Sequence, residues 1–134
     1  MIKIICIGKL KENYLKDAEQ EYLKRLKKYT QIELIELPDS NIDDEKIALE
    51  KEKNQILKYI KPKEYLVTLE IEGNQLSSLA FADKIDKTLI TSSDITFLIG
   101  GSYGIHPSIK EMSNYKLSFS KMTFPHQLFR ILLL

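Results

Sequence analysis

Cysteine is nearly absent. Cys6 is the one thiol in 134 residues, so no internal disulfide braces the chain. It sits in the apolar run Met1 to Ile7, where a buried core thiol is the ordinary outcome and a reactive one the exception. Metal ligands are as sparse: one cysteine and two histidines twenty residues apart, His106 and His126, make no zinc-type cluster. No metal is expected. No apolar run approaches the roughly 20 residues that span a bilayer. The N-terminal run is too short for a signal peptide and lacks a small-residue cleavage site. The expectation is therefore no membrane and a cytoplasmic location. Low-complexity segments, repeats and linkers are missing too, which leaves a single domain, residues 1–134, long enough for a real core.

What is present is ordinary in bulk, 43% apolar and 29% charged, as in soluble globular proteins. The net charge of +1 is unevenly spread. Residues 1–30 carry eight Lys/Arg against four acids, and residues 33–53 carry eight acids against three lysines. A basic first third suits phosphates, since neutralised phosphate charge drives nucleic-acid affinity. A solvated helix face has the same composition. Charge alone leaves the partner open.

Taken in order, Met1 to Ile7 is a buried strand ending at Gly8. From Glu12 to Tyr29 apolar residues fall at 14, 15, 18, 22, 23, 26 and 29, the spacing of one helical face. Ile32 to Leu37 alternates and stops at Pro38. Pro38-Asp-Ser-Asn is turn chemistry, and Ser40 followed by Asp43 suits the cap of a helix running to about Ile60. Ile56, Leu57 and Ile60 are its inward residues, and Pro62 lies just past its end. Tyr65 to Ile71 is a third strand, closed by Glu72-Gly73-Asn74. Ser77 or Ser78 caps a helix with Leu79, Ala82, Ile85 and Leu89 inward. Ile95 to Ile99 is almost wholly apolar, hence central in its sheet. His106-Pro107 opens a short helix to about Met112, ended by Asn114. Leu117 to Phe119 is a fifth strand, and Pro125 starts the last helix. Alternating strands and helices predict an α/β fold: a mainly parallel sheet with helices on both faces.

Ligands of such sheets bind outside the carboxyl ends of the strands. Three ends stand out: Leu69 to Gly73, Gly100 to Gly104, and Phe119 to Phe124. The middle one, Gly-Gly-Ser-Tyr-Gly, holds three of the five glycines. It is either a backbone cradle for a ligand or a tight strand-to-helix turn. It lacks the Gly-Lys-Ser/Thr ending of a phosphate-gripping loop. It also lacks the dinucleotide glycine spacing, and about 20 residues on lie Phe119 and Ser120 rather than a ribose-binding acid. There is no Gly-x-Ser-x-Gly elbow for a nucleophile. The turn Ser120-Lys121-Met122-Thr123 offers hydroxyls, a cation and helix N-terminal amides, walled by Phe119, Met122 and Phe124. Such a mixture suits an adenine with a short polar tail better than a polyphosphate. His126 is an acid–base candidate or a structural group at a helix start.

These same residues carry a resemblance. Ile99 to Gly104 (I-G-G-S-Y-G) and Leu117 to Leu134 (L-S-F-S-K-M-T-F-P-H-Q-L-F-R-I-L-L-L) resemble the ribosomal large-subunit methyltransferase H family of the SPOUT class. The start I-x-C-I-G-K-L-K-E-x-Y and Thr68 to Ser78 (T-L-E-I-E-G-x-x-L-S-S) match as well. The resemblance implies a C-terminal trefoil knot that forms the cofactor pocket, and a homodimer with its sites near the interface. It implies methyl transfer from S-adenosylmethionine to N3 of a pseudouridine in 23S rRNA of the assembled ribosome. Carried over by motif, the cofactor contacts are Leu69, Gly100, Phe119, Ser120, Lys121, Met122, Thr123 and Phe124. Beside the resemblance, His126 or a water is the candidate acceptor for the imide proton. Arg130 is a candidate for RNA phosphate, for the developing anion, or for a structural ion pair. Family members continue past Leu-Leu-Leu, so the chain reads as C-terminally truncated, with Ile131 to Leu134 an apolar half-helix left dangling. A non-catalytic RNA- or ribosome-binding module that keeps the fold is the alternative. A flavodoxin- or dinucleotide-type enzyme is a second, disfavoured by the glycine spacing.

Overall fold

A computed structural model describes residues 1–40 and 42–134. Asn41, the last residue of the expected Pro38 turn, lies outside them. The elements are β1 (Ile2–Ile7), α1 (Asn13–Leu26), β2 (Ile32–Leu37), α2 (Glu45–Leu57), β3 (Tyr65–Gln75), α3 (Ser78–Thr91), β4 (Ile95–Ile99), α4 (Pro107–Met112), β5 (Tyr115–Ser118) and α5 (His126–Leu133). The five strands form one parallel sheet in the order β2-β1-β4-β3-β5. Ile95 of β4 stands opposite both Ile2 and Tyr65, so the sheet is in register across its centre. The α/β expectation with a parallel sheet and helices on both faces holds.

Side chains alternate across the strands, and β1 shows how one run serves two cores. Ile2, Ile4 and Cys6 join Val67, Phe97 and Ile99 on one face, while Ile5 and Ile7 join Leu66, Leu98 and Ile109 on the other. α3 (Phe81, Ile85, Leu89) and α5 (Phe129, Leu133) cover the first face, and α2 (Ile56) and α4 (Ile109) the second. α1 joins the first side through Leu15, which packs with Leu10 and with Ile131 of α5. That distribution is what right-handed crossovers give for this strand order. Burial also falls on Lys3, and the sheet compensates. Its Nζ donates to Glu64 Oε1 at 2.6 Å and to the Tyr59 carbonyl at 2.7 Å, while Thr96 Oγ1 donates to Glu64 Oε2 at 2.5 Å.

Several local expectations change. Ser40 does not cap α2. Asp44 does, accepting from the Ile47 amide at 3.2 Å, and Ser40 Oγ instead bonds Glu52 Oε2 at 2.9 Å. α2 ends at Leu57, which is exposed rather than inward, and Leu79 of α3 is exposed where Phe81 packs inward. β5 begins earlier, at Tyr115, because Asn114 fixes that edge: its side-chain carbonyl accepts from the Leu66 amide at 2.8 Å. Ile131 is buried and Leu133 and Leu134 pack on the first core, so the last turn is docked rather than dangling. The largest change is in α1. The helix expected to reach Tyr29 ends at Leu26, so Tyr29 lies beyond it; Tyr14 and Tyr29, counted on its apolar face, are 69% and 82% exposed, and Tyr22 is exposed too. Leu15, Ala18, Leu23 and Leu26 carry the inward side, and the phenols extend past its edge.

β3 also runs on to Gln75, but with a slip. Leu117 stands opposite Leu69 and again opposite Asn74, so residues 70–73 leave the ladder. Gly73 permits this, because a Cβ there would lie 2.8 Å from the Lys116 carbonyl carbon and oxygen. The bulge opens space at the carboxyl edge of the sheet.

Candidate active site

Three strand ends meet at one cavity of about 580 Å³. β3 supplies Leu69 and then the bulged Glu70, Ile71 and Glu72. β4 supplies Ile99 and the glycine loop, and β5 supplies Leu117, Ser118 and the turn after it. The volume falls in the usual range for small-molecule sites, and the place is where an open parallel sheet leaves room for one.

The glycine loop is both of the things its sequence allowed, a tight turn and a cavity wall. Gly104 has φ +81° and donates its amide to the Gly101 carbonyl at 3.0 Å. Gly100 lies so close to Gly104 that a Cβ would meet its carbonyl oxygen at 2.5 Å. Tyr103 pins the loop from outside, with its hydroxyl 3.1 Å from the Ile42 carbonyl and 3.3 Å from that of Asp43. Opposite, the turn after β5 is shaped by its hydroxyls. Ser120 Oγ accepts from the Met122 amide at 3.0 Å, and Ser118 Oγ lies 2.8 Å from the Ile71 carbonyl. Phe129 of α5 closes this wall, its ring centroid 4.9 Å from Phe119 and 6.1 Å from Phe124.

Of the residues named from sequence, Leu69, Gly100, Phe119, Ser120, Met122, Thr123 and Phe124 all line the cavity. Lys121, in the middle of the turn, does not; it is exposed. His126 lines it as well. Its Nε2 lies 2.6 Å from the Ile7 carbonyl, which can only accept, so Nε2 carries the proton and Nδ1 of the neutral ring keeps a lone pair. Gly8 leaves room for the ring: a Cβ there would lie 3.6 Å from Nε2.

Arg130 is placed differently. It is 3% exposed and does not line the cavity. Its Nη1 bonds Glu36 Oε2 at 2.6 Å and Glu19 Oε2 at 3.2 Å, and Nη2 bonds the Gly8 carbonyl at 2.9 Å. Of its three sequence roles, this is the geometry of the ion pair. Burial raises the Glu19 carboxyl above its usual range; the Arg130 guanidinium opposes the shift and Glu36 adds to it.

Sequence reasoning passed over Glu70, Glu72 and Phe129. Glu70 is held at the rim by Thr68 Oγ1 at 2.7 Å, with Lys110 Nζ 3.7 Å from its other oxygen. Two acids bracketing Ile71 at a strand end were the available signal, and the bulge that turns them to the cavity was not visible. Among the described residues no group of three or more His, Cys, Asp or Glu is arranged to hold a metal ion. Nor is any helix long and apolar enough to cross a membrane.

The whole chain, residues 1–134, matches the family described as "Predicted SPOUT methyltransferase". It is 47% identical to the ribosomal RNA large subunit methyltransferase H of Caldicellulosiruptor saccharolyticus, over 98% of this chain and 88% of that protein. It is 49% identical to the protein of the same name from Streptococcus uberis, over 98% of this chain and 87% of that one. For the Clostridium botulinum (strain Hall) protein of that name the identity is 46%, over 99% and 88%.

Proposed function

Because the chain belongs to the SPOUT methyltransferase family, we propose that it methylates 23S rRNA, transferring a methyl group from S-adenosylmethionine to N3 of a pseudouridine on the assembled ribosome. The observation that carries this reading is the cavity: seven of the eight motif-derived cofactor residues line one space of about 580 Å³. Its chemistry fits the donor. Leu69, Ile99, Ile105 and Phe124 give an apolar slot for an adenine. Ser120 and Thr123 offer hydroxyls, and the carboxylates of Glu70 and Glu72 complement a cationic ligand. The donor supplies an electrophilic methyl group.

What the chain supplies is position and a proton acceptor. A wall fixed by the Gly100–Gly104 packing and the Phe119–Phe129–Phe124 stack holds reactants in a set orientation, a large share of any transfer barrier. The imide nitrogen must lose its proton, and Nδ1 of His126 is the acceptor, since Nε2–H is committed to the Ile7 carbonyl. Arg130 acts from behind, holding α5 so that His126 and Phe129 face the cavity. The return of the chain from edge strand β5 to the end of β1, where His126 and Arg130 dock, supports a knotted C-terminus. Exposed Leu79, Ile90 and Leu132 on α3 and α5 support a homodimer.

Calorimetric titration with S-adenosylmethionine, followed by methylation of ribosomes lacking the modification, tests the reading. Saturable binding and incorporation at the pseudouridine are expected. Absence of donor binding would overturn it. Full methylation by His126→Ala across pH would remove His126 as the base and leave the rest standing.

A further inference from the structure

Among the residues that line the cavity, Lys110 of α4 is the one cation besides the titratable ring of His126. It faces Glu70 of the β3 bulge, with Nζ 3.7 Å from Oε1. At that distance the two charges attract each other without a hydrogen bond between them. Exposed pairs elsewhere close further: Arg25–Glu21 and Lys87–Asp83, each along a single helix, stand at 3.0 and 2.8 Å. The cavity pair instead joins two elements and stays open.

Each partner is held from behind. Thr68, fully buried in the sheet, donates its hydroxyl to Glu70 Oε2 at 2.7 Å. That commits one carboxylate oxygen and leaves Oε1 toward Lys110. The Glu70 side chain is 13% exposed, so water has little access to it. Lys110 rides on a helix anchored by fully buried Ile109 and by His106, whose Nε2 lies 3.1 Å from Glu50 Oε2 of α2. Its own side chain stays 42% exposed. A pair with so wet a partner contributes little by itself, so giving up the contact to a ligand costs little. Once a ligand excludes water, the same two charges act more strongly.

We propose that Glu70 and Lys110 form a zwitterion clamp that holds the amino-acid tail of the methyl donor, Glu70 taking its ammonium and Lys110 its carboxylate. The inference rests on the S-adenosylmethionine reading and assigns the part of the site that reads the tail. Charge selects the occupant. One sheltered carboxylate beside one ammonium complements an α-amino acid, which carries the opposite pair on a single carbon. A phosphate would meet two carboxylates here, Glu70 and Glu72, against one ammonium. The apolar slot of Leu69, Ile99 and Phe124 has no charge to offer the tail, so the two ends of the donor are read by different walls.

The test is calorimetric titration of the full chain and of Glu70→Gln, Lys110→Met and Lys110→Arg. The ligands are S-adenosylmethionine, S-adenosylhomocysteine and methylthioadenosine, which keeps the adenosine and sulfur but lacks the tail. Glu70→Gln should weaken S-adenosylhomocysteine about tenfold or more, the usual scale of a lost charged hydrogen bond. Lys110→Met should weaken it less, because the ammonium is wetter, and Lys110→Arg should restore it. Methylthioadenosine should bind the parent and all three variants alike. Equal losses for methylthioadenosine would make the pair a structural strut and overturn the clamp. A Glu70→Gln loss seen with S-adenosylmethionine but not with S-adenosylhomocysteine would mean that Glu70 reads the sulfonium, which also overturns it. If the parent binds S-adenosylhomocysteine and the variants match it, the clamp is wrong and the function stands. A parent that binds none of the three ligands overturns the donor reading and the clamp together.

Discussion

Arg130 of α5 and Glu36 at the end of β2 meet at 2.6 Å, joining the last helix to a strand 94 residues earlier. The same guanidinium holds Glu19 of α1 and the Gly8 carbonyl, while His126, one turn back, holds the carbonyl of Ile7. Two side chains on one helix face thus take successive carbonyls at the end of β1, which fixes both the height and the rotation of α5. Removing the cation leaves Glu19 buried without its partner. Arg130→Met should therefore destabilise the fold by about 3–5 kcal/mol. Adding Glu19→Gln to it should recover part of that loss. Urea unfolding of the single and double variants checks both, and a loss no smaller in the double variant would refute the pairing argument.

Two buried carboxyls set opposite pH slopes. Burial raises Glu64, but hydrogen bonds from Lys3 and Thr96 outweigh it and bring the group below its ordinary range. A lowered folded pKa gives stability that is present above the unfolded value and lost as pH falls through the folded one. Glu64→Gln should thus be less stable than the parent at neutral pH, with the gap closing below about pH 4. Glu52 is the reverse case. Burial raises it, with Asp39 adding and Ser40 opposing, and its Oε1 has no hydrogen-bond partner among the described residues. A raised carboxyl gives stability that is present in acid and lost as pH rises. Glu52→Gln should melt higher than the parent at pH 8, by a few degrees for a change near 1 kcal/mol. The advantage should vanish near pH 4. Thermal melts at three pH values separate the two slopes.

The chain advertised its sheet far better than its helix faces. Apolar runs such as Ile95 to Ile99 have no other stable home than a strand buried on both sides, so strand identity and the α/β class followed from pattern alone. The tyrosines of α1 misled because a phenol counts as apolar in a periodicity while its exposure depends on where the helix edge falls. The β3 bulge was hidden for a different reason: it depends on Gly73 packing against the Lys116 backbone, a pairing 43 residues apart that no local pattern encodes. The cavity's glycine loop and the β5 turn were legible because strand ends are where backbone and hydroxyl groups become free. The partners of Arg130, in three earlier elements, were not.

Two glycines of the cavity loop should fail in different ways. Gly100 has ordinary backbone angles but no room, with a Cβ only 2.5 Å from the Gly104 carbonyl oxygen. Gly104 has open space but φ +81°. Gly104→Ala should cost about 1–2 kcal/mol of stability from the left-handed backbone and leave the wall in place. Gly100→Ala must push the loop apart, and should lower S-adenosylmethionine affinity at least tenfold. Calorimetry and denaturation on the pair distinguish them; equal effects on both measurements would show that the loop is not shaped by this contact.

Cys6 offers a clock for opening of the core. Its side chain is buried on the first face of β1, and burial pushes the thiol up to about 12, with Arg130 working against the shift and Glu19 and Glu36 adding to it. At neutral pH the thiolate that reacts is scarcely populated, and no reagent reaches the sulfur while the sheet is closed. Labelling by a disulfide-exchange reagent should therefore be negligible in the native state and immediate in denaturant. In mild urea its rate should follow opening of the β1 region, and Arg130→Met should accelerate it by loosening α5 from the end of that strand. Rapid labelling of the native parent at pH 7 would mean that β1 opens without the rest of the core.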